Sequence, residues 1–276
     1  MMRPQRHAAQ LLLAAAALAA AVSPLVVQLV FAVVAIGGIG MAHGASDLAI
    51  VQPHKQRLFL ACYGLAIVLC LVWWHQSPAW ALPGFLIASA LHFGWEDAPD
   101  GPLLERIGRG ISLIATPAVC YHSEYRAILS AAGLAPAARD LLTTTLAAAG
   151  AVAATGLLIM GAVRGNKSLL AGTAALLLLP PFVGFSTGFL LLHALPQTEQ
   201  RRRQLGCASY AEYLRATWPV LMAAIALAAM AAWITLPAGS GEVRPLFAAL
   251  AALAIPHLLV TPWFAPTLAP PPGGTR

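Results

Sequence analysis

The sequence predicts an all-α fold, a polytopic bundle of about eight transmembrane helices within a range of seven to nine. Three observations lead there. Of the 276 residues, 59% are hydrophobic and only 9% charged, where a soluble domain carries roughly 25% charged residues. The apolar residues gather in runs close to the roughly 20-residue length that crosses a bilayer as a helix. The runs are separated by short loops in which basic residues collect. The chain therefore reads as one integral-membrane domain over residues 1–268, with a basic leader at 1–7 and a disordered Pro-rich tail (APPPGGTR) at 269–276.

The apolar runs are 8–22, 24–42, 58–74, 79–95, 107–121, 141–163, 168–195, 216–236 and 245–264. Only Ser23 and Pro24 separate the first two, so they form either a tight hairpin or one kinked helix. The N-terminal stretch has the basic start and small residues of a secretory signal, but apolar sequence resumes at once after Pro24. A retained first span is expected. The run 141–163 is rich in Ala and Gly, which suits close helix packing. The run 168–195 is too long for one straight crossing and contains Pro180-Pro181, so it is either a broken helix or two short passes. There is no internal repeat of the kind that marks inverted-repeat transporters.

The net charge is +6. The basic loops (Arg3 and Arg6, His54 to Arg57, Arg164 to Lys167, Arg201 to Arg203) account for it, and nucleic acid is not an expected partner. If 8–42 makes two passes and 168–195 doubles back, all four loops face the cytoplasm. The expected location is the cell (inner) membrane, as a multi-pass protein. Cys62, Cys70, Cys120 and Cys207 form no C-x-x-C pair and say nothing about redox compartment.

Against this apolar background three histidines stand at the ends of runs, each followed four residues later by a polar residue: His43 with Asp47, His92 with Glu96, and His193 with Gln197. That spacing places both side chains on one helix face. Imidazole and carboxylate persist in lipid where they are paired, face a bundle interior or hold something. Gly37, Gly38, Gly40 and Gly44 clear space around His43 for another helix or a flat ligand. Asp47 is placed to orient the His43 ring, and Glu96 and Asp97 follow His92. Pro196 makes continuous helix geometry uncertain between His193 and Gln197. His257 interrupts the last run just after Pro256, and a metal would relieve the cost of burying it. The bland alternatives are a capped helix end for His43 and an interfacial belt around Trp95 and Asp97. His7, His54, His75 and His122 read as solvated. Phe182, Phe185 and Phe189 read as packing that could also line a site.

At H-G-A-x-D (His43 to Asp47), H-F-G with following acids (His92 to Asp97), His193 and Pro256-His257, the chain resembles the Brp/Blh family of membrane-embedded carotene dioxygenases. These supply retinal to microbial rhodopsins. The resemblance implies an Fe(2+) cofactor with His43, His92 and His193 as metal ligands. Asp47, Glu96 and Asp97 would stand behind them as orienting partners. It implies O2 addition across the central 15,15′ double bond of β-carotene, or a close carotenoid, to give two retinals. The partners would then be the carotenoid substrate, O2, the lipid bilayer, and a rhodopsin as retinal acceptor. The family's third motif is H-x-x-x-H, and here its second position is Gln197. Three outcomes stay open: three imidazoles with a weak or water fourth ligand, His257 completing the set, or divergence from carotene cleavage. The last would leave a non-enzymatic carotenoid-binding or transport membrane protein. A desaturase-like di-iron enzyme is disfavoured, because the chain has no H-x-x-x-H or H-x-x-H-H box.

Overall fold

A computed structural model describes residues 3–235 and 244–264. The tail at 269–276 and the first two leader residues lie outside them. The described residues are helical, with no strand: α1 (Arg3–Ala21), α2 (Leu25–Ile50), α3 (Pro53–Gln76), α4 (Pro78–Asp97), α5 (Leu103–Ala115), α6 (His122–Ala131), α7 (Pro136–Val163), α8 (Lys167–Leu178), α9 (181–204), α10 (Tyr210–Thr235) and α11 (Arg244–Leu259). Single helical turns at Pro117–Cys120 and Thr261–Phe264 extend the pattern. Arg3 and Arg6 of the basic leader belong to the first turns of α1.

Proline sets many of the boundaries. Pro53, Pro78, Pro136 and Pro181 open α3, α4, α7 and α9, where the missing N–H has no intrahelical partner to lose. Ser23-Pro24 separates α1 from α2 as two helices. At Pro180 the backbone is extended (φ −51°, ψ 148°), so α8 ends and α9 folds back against it. Gly184 and Gly188 make that hairpin tight: a Cβ there would lie 2.8 Å from the Ala175 carbonyl oxygen and 2.4 Å from Leu176 Cγ. The 168–195 run is thus two short helices. The Ala/Gly-rich α7 packs as closely, since a Cβ at Gly150 would lie 2.5 Å from the Ala115 carbonyl.

The packing is inverted relative to a water-soluble protein. Leu12, Val30, Leu65, Leu69, Val152 and Ile159 are exposed on outer helix faces. Ser89, Ser112, Thr116, Thr143, Thr173 and Ser186 are buried. Several of these hydroxyls return a hydrogen bond to their own helix, as Thr143 does to the Arg139 carbonyl (2.7 Å) and Ser186 to that of Phe182 (2.6 Å). Such closure suits a bundle whose surroundings offer no water.

Among the described residues, four helices are long and apolar enough to cross a membrane: Leu25–Ile50, Pro53–Gln76, Pro136–Val163 and Phe247–Phe264. The expectation of about eight crossings meets shorter pieces elsewhere. The 107–121 run is divided between α5 and the turn Pro117–Cys120. The 12-residue α8 is about 18 Å long, well short of a hydrocarbon core of about 30 Å.

The packing of α4 on α5 sets the position of His92 and of its acidic neighbours Glu96 and Asp97, all three on α4. A Cβ on Gly110 would lie 1.8 Å from the Ala90 carbonyl oxygen, and one on Gly94 would lie 2.4 Å from that of Arg106. The two backbones therefore touch where only glycine fits. The Arg106 guanidinium closes their connection, donating from Nε to the Ala98 and Gly101 carbonyls (3.0 Å each) and from Nη2 to Pro99.

Candidate metal centre

His43, His92, His193 and His257 come together from α2, α4, α9 and α11, all buried. Their ring centroids close a circuit: His43–His193 5.0 Å, His193–His92 5.4 Å, His92–His257 4.9 Å and His257–His43 5.1 Å. The rings meet edge to face rather than stacked, at interplanar angles of 64° to 84°. The other described histidines (His54, His75, His122) are not in the circuit.

Local backbone irregularity aims two of these rings. In α2 a π-helical stretch, Val33–Ile39, passes into 3-10 turns at Gly40–Ala42 and Gly44–Ser46. In α9 a second π-helical turn, Leu190–Ala194, carries His193. Pro196 accounts for the latter, since its ring would collide with the Leu192 carbonyl in a regular α-helix and a widened turn relieves this. The helix accordingly continues through Pro196 to Gln204. Of the four glycines before and after His43, Gly40 is needed for close approach, and Gly44 leaves only ordinary contact distance to a neighbour. A Cβ on Gly40 would lie 2.6 Å from Phe189 Cε1, and one on Gly44 would lie 3.7 Å from His257 Nδ1. Gly37 and Gly38 have nothing within 4 Å of a Cβ position.

Hydrogen bonds select the ring nitrogens. His43 Nδ1 lies 2.5 Å from the Gly40 carbonyl oxygen, His193 Nδ1 2.8 Å from Asp97 Oδ1, and His257 Nδ1 2.6 Å from Asp47 Oδ2. A carbonyl or carboxylate oxygen only accepts, so each Nδ1 carries a proton, and in the neutral ring each Nε2 keeps its lone pair. The Nε2 atoms of His92, His193 and His257 are buried with no hydrogen-bond partner. Buried polar atoms left unpaired are costly, and lone pairs converging from several rings are what a metal ion satisfies. The donor set fits a borderline metal such as Fe(II), Zn or Ni. Ligand atoms of His92, Glu96 and His193 already lie within 4.8 Å of one another.

The acidic residues are distributed differently from the four-residue spacing. Asp47 does not orient His43. It holds His257 on α11, and its Oδ2 also accepts from Thr261 Oγ1 at 2.7 Å. Asp97 holds His193 on α9. Glu96 stays with its own helix partner, Oε2 lying 3.3 Å from His92 Nε2 and 4.0 Å from His193 Nε2, without hydrogen-bond geometry to either. Its Oε1 faces the buried Arg201 guanidinium at 3.8 Å. The Gln197 amide donates from Nε2 to the Glu96 backbone carbonyl at 3.0 Å. It ties α9 to the end of α4.

Sequence reasoning missed Thr261 and Arg201. Thr261 was findable, because it follows His257 by the same four-residue step. Arg201 was hidden in a run of three arginines that reads as a solvated loop. Tyr213, buried on α10 and donating to the Ala42 carbonyl at 2.7 Å, also gave no signal. Around the rings Phe93 and Phe189 pack against His193 at 4.7 and 5.4 Å, and Phe185 stacks on Phe189 at 5.9 Å.

Comparison with curated proteins and with solved structures gives no match. The family model for beta-carotene 15,15′-dioxygenase matches residues 32–265. That stretch starts at the π-helical turn of α2, ends just past the turn after α11, and contains all four imidazoles with their acidic partners. The chain thus belongs to the beta-carotene 15,15′-dioxygenase family.

Proposed function

We propose that the protein cleaves the central 15,15′ double bond of β-carotene, or of a close carotenoid, to two molecules of retinal. It uses O2 and one iron ion held by His43, His92, His193 and His257. Family membership supports a beta-carotene dioxygenase type of activity. The observation that carries the finer reading is the circuit of four buried imidazoles, in which the Nε2 atoms of His92, His193 and His257 have no hydrogen-bond partner. Iron bound by neutral imidazoles supplies a centre able to bind and activate O2.

The chain's own residues do the rest. Asp47 and Asp97 accept the Nδ1 protons of His257 and His193, which fixes ring orientation and raises the basicity of Nε2. The Gly40 carbonyl does the same for His43 in neutral form. Phe93, Phe185 and Phe189 give the His193 side an apolar wall suited to a polyene. A hydrocarbon substrate partitions into the bilayer and reaches an intramembrane site laterally, without crossing water. Both oxygen atoms of one O2 end in the two aldehydes, so no added reductant or general base is required. The four long helices with α1, α4 and α10 supply seven crossings of the cell membrane, and the α8–α9 hairpin doubles back, within the expected seven to nine. A rhodopsin is a natural acceptor for the product.

Gln197 was the feature favouring a non-enzymatic carotenoid-binding or transport protein. Its amide is engaged with the Glu96 carbonyl, and His257 supplies a fourth imidazole from another helix. Expression in a carotene-accumulating host tests the proposal. Loss of colour with appearance of retinal is expected, and His92→Ala should abolish both. Persistent β-carotene beside folded, membrane-inserted wild-type protein would overturn it.

A further inference from the structure

Glu96 is the one acidic residue of the cluster not occupied in orienting a ring. Asp47 and Asp97 each spend a carboxylate oxygen on an Nδ1–H. Glu96 Oε2 is buried without a hydrogen-bond partner and lies beside two Nε2 atoms, those of His92 and His193, which are themselves unpartnered. An oxygen placed merely to orient an imidazole would face the nitrogen carrying the proton. His193 carries its proton on Nδ1, held by Asp97, so Glu96 faces the ring's lone-pair side. Anionic oxygen and nitrogen lone pairs repel unless a cation sits between them.

The other oxygen, Oε1, looks toward Arg201 at 3.8 Å, a guanidinium only 8% exposed. This contact holds the carboxylate turned so that Oε2 points inward. The Gln197 amide on the Glu96 carbonyl fixes the backbone from which the side chain projects.

From these contacts we infer that Glu96 is itself a metal ligand. The centre is then four imidazoles and one carboxylate, with Arg201 and Gln197 as positioning residues for that carboxylate. The inference rests on the reading of the histidine circuit as a metal site. It also gives Gln197 a purpose: where an imidazole would add a ligand from α9, the amide steadies a ligand from α4.

The test uses purified full-length protein and Co(II) as probe, followed by visible absorption and by infrared difference spectra of metal-loaded minus metal-free protein. The chain has ten Asp and Glu residues in all, so a carboxylate shift is assignable. Wild type should bind Co(II) and show shifted carboxylate stretching bands on loading. Glu96→Gln should lose those bands, alter the Co(II) d–d spectrum and weaken binding by about tenfold or more. Arg201→Met should keep the bands at a displaced position. Binding of Co(II) by wild type with no carboxylate band change would overturn the inference while leaving the histidine site standing. So would a Glu96→Gln spectrum identical to wild type. Failure of wild type to bind Co(II), with His43→Ala indistinguishable from it, would sink the metal site and the inference together.

Discussion

On the α2–α11 side of the cluster, Asp47 follows His43 by four residues yet bonds His257. On the α4–α9 side, Asp97 follows His92 by five and bonds His193. Both halves thus exchange support between helices: the acid on one helix orients the histidine of another, so neither ring is set until both helices dock. The halves differ in how they are completed. Thr261 finishes the first with a neutral donor to Asp47, which leaves no acid to spare. The second has an additional carboxylate, Glu96, with its own cation, Arg201, and an amide brace from Gln197. Matched orienting pairs need only two carboxylates, and the third, Glu96, is a spare carboxylate on the α4–α9 side with its charge offset by Arg201.

The largest expected effect tests the symmetry of the exchange. Asp47→Ala and Asp97→Ala should each reduce metal affinity or retinal formation by about 10–100-fold, measured by competitive metal titration and product assay. Thr261→Val should cost less than Asp47→Ala, because it removes one of two donors. A loss confined to one of the two aspartate variants would break the comparison.

A second test loads one half alone. Gly110→Ala places a methyl where the Ala90 carbonyl sits 1.8 Å away. It must part α4 from α5, at a cost of about 1–3 kcal/mol in stability. Thermal unfolding in detergent should register this, and metal binding should weaken through His92. Unaltered unfolding would show that the α4–α5 crossing does not hold its half of the site in place.

The smallest effect concerns the charged end of α9, which also carries the Arg201 that faces Glu96. Glu199 is paired with Arg202 (2.9 Å), Tyr210 (2.9 Å) and Arg203 (2.8 Å). Chiefly through Arg202, its carboxyl is pushed down to about 2, below an unfolded value of about 4.3. A depressed carboxyl stabilises the fold above the unfolded value, and the contribution fades as pH falls through the folded one. The tie between α9 and α10 should therefore weaken progressively below about pH 4. Unfolding of metal-free protein followed from pH 6 to pH 3 should show that slope, and Glu199→Gln should flatten it. An equal slope in the variant would assign the acid sensitivity elsewhere.

Much of this molecule was legible in the chain. Apolar runs and breaking prolines announced a membrane helix bundle, because a backbone in lipid has few alternatives to helix. His43, His92, His193 and His257 stood out, because imidazole in such runs is costly unless it is used. Both hairpin questions, at Ser23-Pro24 and Pro180-Pro181, were visible as breaks but not as outcomes. Helix spacing says which side chains share a face; it is silent on what faces them. Asp47 lies on the correct face for His43 and still spends itself on His257, since α11 docks nearer to its carboxylate. Arg201 reads as one of three solvated arginines until α9, widened at Leu190–Ala194, rotates it onto Glu96. The identity of the buried polar residues was determined locally, by what an apolar helix excludes. Their partnership was decided only by tertiary packing, because hydrogen bonds at 2.6 to 3 Å depend on how helices distant in sequence approach, and no period along one chain encodes that distance.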